Sequence, residues 1–469
     1  MTTATPSLIR PGLPAWLLIA IACLASCMVV MDGAIVNVAL PAMQQALHLS
    51  ALAQQWIVDA YLLTLGGFML LAARVGDLYG SRRTLLAGLA LFTLASLAGG
   101  LAESGVTLLI ARALQGVGAS VLATSSMTLI VAATQHDKQA RAKALSLWAA
   151  FNSAGFALSA VLGGILTARY GWQAVMFVNV PIGALLILAS LTCLQATPVQ
   201  RSPLDWAGAL TATLGSSSLI YGLSQAALLG WASLEVWGSL LAGAALLIGF
   251  VQIERRSPAP LLRLSLFKMP NQARGNLVMM SLGGTLAATV FLLSTQLQQL
   301  GHYSAEAAGL ALLPFGVMLA VARLLFNQRA VSGQAHRFPL YGSLLASVAL
   351  LWLATLPTRP DFWLHLLPPT LLLGFGLGMV VLTAMQNLTA GISQQDAGLV
   401  SGVANSARQL GGALGVALAA TLLRSSGQLS EYTHLQHYHH AFIAVAVLSV
   451  LCGLLSARRT PVPAVQPVR

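Results

Sequence analysis

The stretch from Ala15 to Leu40, AWLLIAIACLASCMVVMDGAIVNVAL, is apolar over more than the roughly 20 residues that span a hydrocarbon core and carries one charge, Asp32. Similar runs recur to near Ser456, in a chain of 469 residues that is 57% hydrophobic and 8% charged, against about 25% charged in soluble domains. A water-soluble fold has no means of hiding that much apolar surface, so an all-α integral membrane protein is predicted. Fourteen spans are read, beginning near residues 15, 52, 84, 106, 143, 173, 206, 235, 275, 305, 338, 362, 400 and 439.

The net charge of +12 sits in short clusters between spans instead of one patch, which argues against nucleic acid as a partner. With the amino terminus inside, nineteen of the 24 Lys and Arg residues fall in cytoplasmic segments, and this asymmetry predicts both termini in the cytoplasm of a multi-pass cell (inner) membrane protein. The string Leu24-Ala25-Ser26-Cys27 resembles a lipoprotein cleavage box, but cutting there destroys the first apolar run, so an uncleaved insertion helix is expected. Fourteen spans divide as six, two and six, giving 1-195, 196-258 and 259-469, and FNSAGFAL from Phe151 is echoed by ANSARQLG from Ala404.

Among the acids only Asp32 and Asp59 lie well inside spans. Burying a carboxylate there costs about 2.5–3.5 kcal/mol, so such residues usually line a pathway. Helical rise places Asp32, Asp59 and Arg112 at one outer level, where they could meet in one aqueous cavity. Arg112 and Gln115 are one turn apart in LLIARALQGVGASVLA. Either Asp32 exchanges a proton, the minimum machinery of proton-coupled antiport, or it merely neutralises Arg112; Asp59 is either a second such group or a residue at the wet end of its helix. Gly116, Gly118, Gly155, Gly163, Gly164, Gly411 and Gly412 are read as helix-packing residues. The span holding Asn405 and Arg408 has no acid near the arginine in an apolar run, which either lines a cavity or snorkels to the interface. Between spans two and three, ARVGDLYGSRRTLLAG (Ala73–Gly88) combines Gly76 and Gly80 with Asp77, Arg82 and Arg83, the parts of a latch between inward and outward opening. His434, His437, His439 and His440 are placed in a solvated outer loop, and no metal is predicted. Lys138, Lys143 and Lys268 follow Asp137, Ala142 and Phe267, so no Walker A loop exists and ATP is not a partner. No other cofactor and no enzymatic nucleophile–base pairing is expected.

Taken in order, MDGAIVNVALPAM (Met31–Met43), QQWIVDAY (Gln54–Tyr61), RVGDLYGSRR (Arg74–Arg83), ARALQGVGAS (Ala111–Ser120), GWQAVMFVNVPIG (Gly171–Gly183) and SGVANSARQLGGALGVAL (from Ser401) resemble the major facilitator superfamily, and within it the fourteen-helix drug:proton antiporters, over nearly the whole chain. Ala73 and Ser81 depart from the usual loop motif, and Ser159-Ala160 stand where the helix-five antiporter motif carries Gly-Pro. The resemblance implies a major facilitator fold of two six-helix bundles plus two inserted helices, 14 transmembrane helices in all. It also implies export of lipophilic, cationic drugs or biocides in exchange for protons. Asp32 and Asp59 would then be proton or cation sites, Arg112 would tune them, and Asp77, Arg82 and Arg83 would work the gate. The runner-up is a dedicated exporter or importer of one metabolite.

Overall fold

The structure, a computed structural model, describes residues 13–49, 51–134, 137–195, 205–258, 260, 262, 264–268, 270–331, 337–389, 394–423 and 431–457. Apart from a bridge at Leu194, the elements among them are helical: α1 (Trp16–Ala46), α2 (Ala51–Tyr79), α3 (Ser81–Gly100), α4 (Gly105–Ala133), α5 (Lys138–Tyr170), α6 (Gln173–Phe177), α7 (Asn179–Cys193), α8 (Trp206–Leu229), α9 (Leu234–Arg256), α10 (Pro270–Gln299), α11 (Ala305–Ala311), α12 (Leu313–Val331), α13 (Phe338–Leu353), α14 (Leu367–Thr389), α15 (Gln394–Leu423) and α16 (Glu431–Ala457). Nine helical segments of the described residues are long and apolar enough to cross a membrane, and shorter apolar helices accompany them.

Local sequence sets the boundaries. Ser104, Asp137 and Asp205 each accept a backbone N–H from the first turn that follows them. Gly80 holds φ 88°, a left-handed value that lets α2 turn directly into α3. Three spans are broken by proline. Pro181 and Pro314 lie near the starts of α7 and α12, where each lacks an N–H and crowds the carbonyl four residues back, ending α6 and α11. Pro368 and Pro369 follow a π turn, Phe362–Leu366.

Packing pairs repeat along the chain. α1 lies against α5, α2 and α3 against α4, and α3 against α7; later α10 lies against α15, α12 and α13 against α14, and α13 against α16. Across these groups α5 packs on α12 and α2 on α15, while the α8–α9 hairpin touches both α2 and α15. Trp231, in the turn of that hairpin, donates its indole N–H to Thr421 of α15 at 2.6 Å, and Trp56 of α2 stacks on Tyr221 of α8.

Lipid is as apolar as leucine, so helices associate through close packing of small residues. Gly155 and Gly163 of α5 lie over the carbonyls of Cys27 and Ile35, at 2.9 and 3.1 Å from where a Cβ would stand. Gly411 is pressed on the Met280 carbonyl, whereas a Cβ at Gly412 would find its nearest neighbour at 3.5 Å. Gly411 is therefore required and its neighbour is not. The histidines are a correction: His434, His437, His439 and His440 belong to α16, not to a loop, because the helix begins at Glu431. His439 Nε2 lies 2.9 Å from the Leu356 carbonyl, so its ring ties α16 to the end of α13.

The pair Gly411→Ala and Gly412→Ala tests this packing. The first should lower stability by about 1–3 kcal/mol through overpacking, while the second should be neutral or slightly stabilising. Equal melting temperatures for the two variants in detergent would contradict the geometry.

Candidate functional site

Asp32, halfway along α1, and Arg112 of α4 are both fully buried, with Arg112 Nη1 2.6 Å from Asp32 Oδ2. The same Nη1 donates to Gln115 Oε1 at 2.6 Å, one helical turn on, and Gln115 Nε2 donates to Asp32 Oδ1 at 2.8 Å and to Ser96 Oγ of α3 at 2.6 Å. Asn179, the first residue of α7, donates its Nδ2 to Asp32 Oδ1 at 2.6 Å. Arg112 Nε donates to the Ile57 carbonyl of α2 at 3.2 Å, and its guanidinium lies 4.2 Å from the ring centroid of Tyr61, whose hydroxyl donates to the Val29 carbonyl of α1 at 2.8 Å. Five helices thus converge on one carboxylate and one guanidinium.

Each arrival depends on a small residue about one turn away. Gly116 lets α4 press on the Tyr61 carbonyl, which brings the Ile57 carbonyl to Arg112. Gly118 lies over Phe92, with 2.8 Å between its Cβ position and the Phe92 nitrogen, and Ser96 stands one turn along α3 from Phe92, facing Gln115. Gly183 packs on Thr93, which lowers α7 onto α3 and sets Asn179 over Asp32.

In the contacts described, Asp32 only accepts, the pattern of an ionised carboxylate. Such charge-assisted bonds are short and strong, and in a site without water their geometry decides whether the pair offsets its own desolvation. Arg112 Nη2 and Asn179 Oδ1 are buried without a hydrogen-bond partner among the described residues, so the closed arrangement leaves polar groups unsatisfied.

Asp32, Arg112 and Gln115 are brought together as the spacing suggested, and Asp59 is not. Asp59 is two residues from Ile57, about 200° around α2, on the face where Gly66 meets Ile220 and Gln409, and it is half-buried. Of the loop residues, Arg82 donates to the Leu191 carbonyl near the end of α7 at 3.1 Å, Arg83 is exposed, Gly76 has room around it, and the side chain of Asp77 lies outside those described. Asn405 is buried and Arg408 partly so. Asn179, Tyr61 and Ser96 were not singled out from sequence. An amide in an apolar run two residues before Pro181 was the available signal for Asn179; Tyr61 and Ser96 have none, being ordinary helix residues until the helices meet.

The match to known proteins covers most of the chain. A family model described as Major Facilitator Superfamily matches residues 22–416. The chain is 35% identical over 452 residues, 94% of its own length and 93% of the relative's, to the cephamycin export protein of Amycolatopsis lactamdurans. It is 36% identical to the puromycin resistance protein of Streptomyces alboniger, covering 87% of this chain and 81% of that one. It is 31% identical to the tetracenomycin C resistance and export protein of Streptomyces glaucescens, covering 85% and 74%. The crystal structure of a human organic anion transporter superposes with a TM-score of 0.70, covering 95% of this chain and 100% of that one, at 17% identity, a likeness of fold alone.

Removing one partner of the buried pair should be worse than removing both. Arg112→Met should cost about 3–5 kcal/mol by leaving a buried charge, and adding Asp32→Asn should recover much of it. Asn179→Ala should cost about 1.5–3 kcal/mol. Denaturant titrations of the purified variants measure these values, and a strictly additive Asp32/Arg112 double-mutant cycle would refute direct coupling.

Proposed function

The chain belongs to the major facilitator superfamily, and from that premise we propose that it is a proton-coupled exporter of amphipathic drugs or biocides working by alternating access. It is a multi-pass membrane transporter whose relatives include antibiotic export and multidrug resistance proteins. The repeated packing pairs support two six-helix bundles, residues 1-195 and 259-469, with the hairpin of 196-258 inserted between them, fourteen transmembrane helices in total. The positive-inside asymmetry supports placing both termini in the cytoplasm, in the inner membrane.

The observation that carries the reading is the sealed contact of Asp32 with Arg112, Gln115 and Asn179. A proton arriving on Asp32 turns one accepting oxygen into an O–H donor, which faces N–H donors and must expel at least one of them. Arg112 then loses its counter-charge, and α4, α7 and α1 lose the bonds that hold their outer halves together. Protonation and helix separation are in this way one event, and a two-state bundle with a few kcal/mol between its states can be biased by it. On return, loss of the proton re-forms the acceptor and closes the cluster.

At the other end, the loop carrying Gly76, Asp77, Gly80, Arg82 and Arg83 acts as the cytoplasmic gate. The Arg82 bond to the Leu191 carbonyl, which links α3 to α7, supports this role. A cationic group on the substrate would meet Asp59 on the α2 face that looks toward Gln409 and Ile220.

The test is efflux of a fluorescent lipophilic cation from cells making the wild-type chain or Asp32→Asn. Wild-type efflux should stop when a protonophore is added, and the variant should lose at least about tenfold in rate, a barrier of about 1.4 kcal/mol. Efflux that persists in Asp32→Asn and ignores the protonophore would defeat the proton-coupled reading.

A further inference from the structure

Arg408 is a second cation inside a span, one that the Asp32 cluster does not use. It lies halfway along α15, and from that depth an arginine would have to cover about 15 Å to reach either interface, beyond its stem. The side chain is partly exposed, and an arginine held at that depth faces the bundle interior or a water-filled cavity, not lipid. Among the described residues no carboxylate is paired with it.

Its backbone is rigidly placed. Gly283 of α10 packs on the Arg408 carbonyl, Gly411 on that of Met280, and Gly415 on Gly284. In the earlier string FNSAGFAL the position in register with Arg408 is Gly155, which packs on α1 through the Cys27 carbonyl. The later helices exchange the roles: the glycine moves to α10, and α15 gains a charged side chain where α5 has none. The level is also where the groups of helices meet, since Gln409 lies 3.6 Å from the Cβ position of Gly66 on α2, which Ile220 of α8 also approaches. In transporters with internal repeats the midplane seam between repeats is where substrate binds.

Resting on the exporter reading above, we propose that Arg408 docks an acidic group of the transported molecule, so that amphipathic molecules carrying an oxyanion, zwitterions with a cationic group for Asp59 included, belong to the substrate class. Arg112 is consumed by Asp32, Gln115 and the Ile57 carbonyl. No such partner of Arg408 is present among the described residues, and its planar fork of donors matches a carboxylate or a similar oxyanion bidentately. An intramembrane guanidinium is costly without a counter-ion, so a molecule that brings an oxyanion is favoured over an uncharged analogue of the same shape.

The experiment measures equilibrium binding of dansyl-aminoundecanoic acid and of its methyl ester to the full chain in lipid nanodiscs, without a proton gradient. The wild-type chain should bind the acid about tenfold or more tightly than the ester. Arg408→Gln should weaken the acid to the level of the ester while leaving the ester unchanged, and Arg408→Lys should restore part of the preference. Absence of an acid preference in the wild type, an unchanged acid-to-ester ratio in Arg408→Gln, or equal loss of both ligands would each overturn the assignment. Because the ratio is read at equilibrium, it stands or falls separately from the Asp32→Asn efflux result.

Discussion

The 2.6 Å contact between Asp32 and Arg112 is the interaction on which α1, α2, α3, α4 and α7 converge. Neither group is stable alone in a hydrocarbon environment, and neither can reach water from where it is held. The pair therefore imposes a demand on its surroundings, which α3, α4 and α7 meet with Ser96, Gln115 and Asn179, and α2 with the Ile57 carbonyl and the Tyr61 ring. Shape follows from electrostatics: the helices sit as close as these donors and acceptors require, and glycines stand where that closeness would otherwise cause a clash.

The same glycines make each group of helices stiff. α5 on α1 and α15 on α10 are held at backbone contact, so motion within those pairs meets an immediate steric wall. The groups of helices meet along the faces where α2 packs on α15 and α5 on α12. The α8–α9 hairpin touches both sides of one such face, through Trp56 stacked on Tyr221 and Trp231 bonded to Thr421. Any rocking at that face has to carry or release these aromatic contacts.

The two groups of helices share packing but not charge. In the first, acid and base neutralise each other in a closed cluster; in the second, Arg408 lies partly exposed in mid-helix without a paired acid among the described residues. On the proposed reading the first exchanges a proton and the second holds a ligand, and these have opposite needs. The first must be able to seal itself, and the second must leave a charge unsatisfied until the ligand arrives.

Sequence alone determined the membrane environment, the helical class, the family and the pairing of Arg112 with Gln115 on one helix face, since each depends on local quantities: run length, charge scarcity, and residues three apart; that Asp32 shares their level was readable from helical rise, but not that it touches them. The placement of Asn179, Ser96 and Tyr61 was decided only in the tertiary structure, because their partners lie on other helices and a hydrogen bond between helices leaves no periodic trace along either one. Asp59 shows the limit from the other side. Its depth was readable from helical rise, but the direction it faces follows from how α2 is rotated against α4, and that rotation is set by Gly116 on the Tyr61 carbonyl, a contact between residues 55 positions apart.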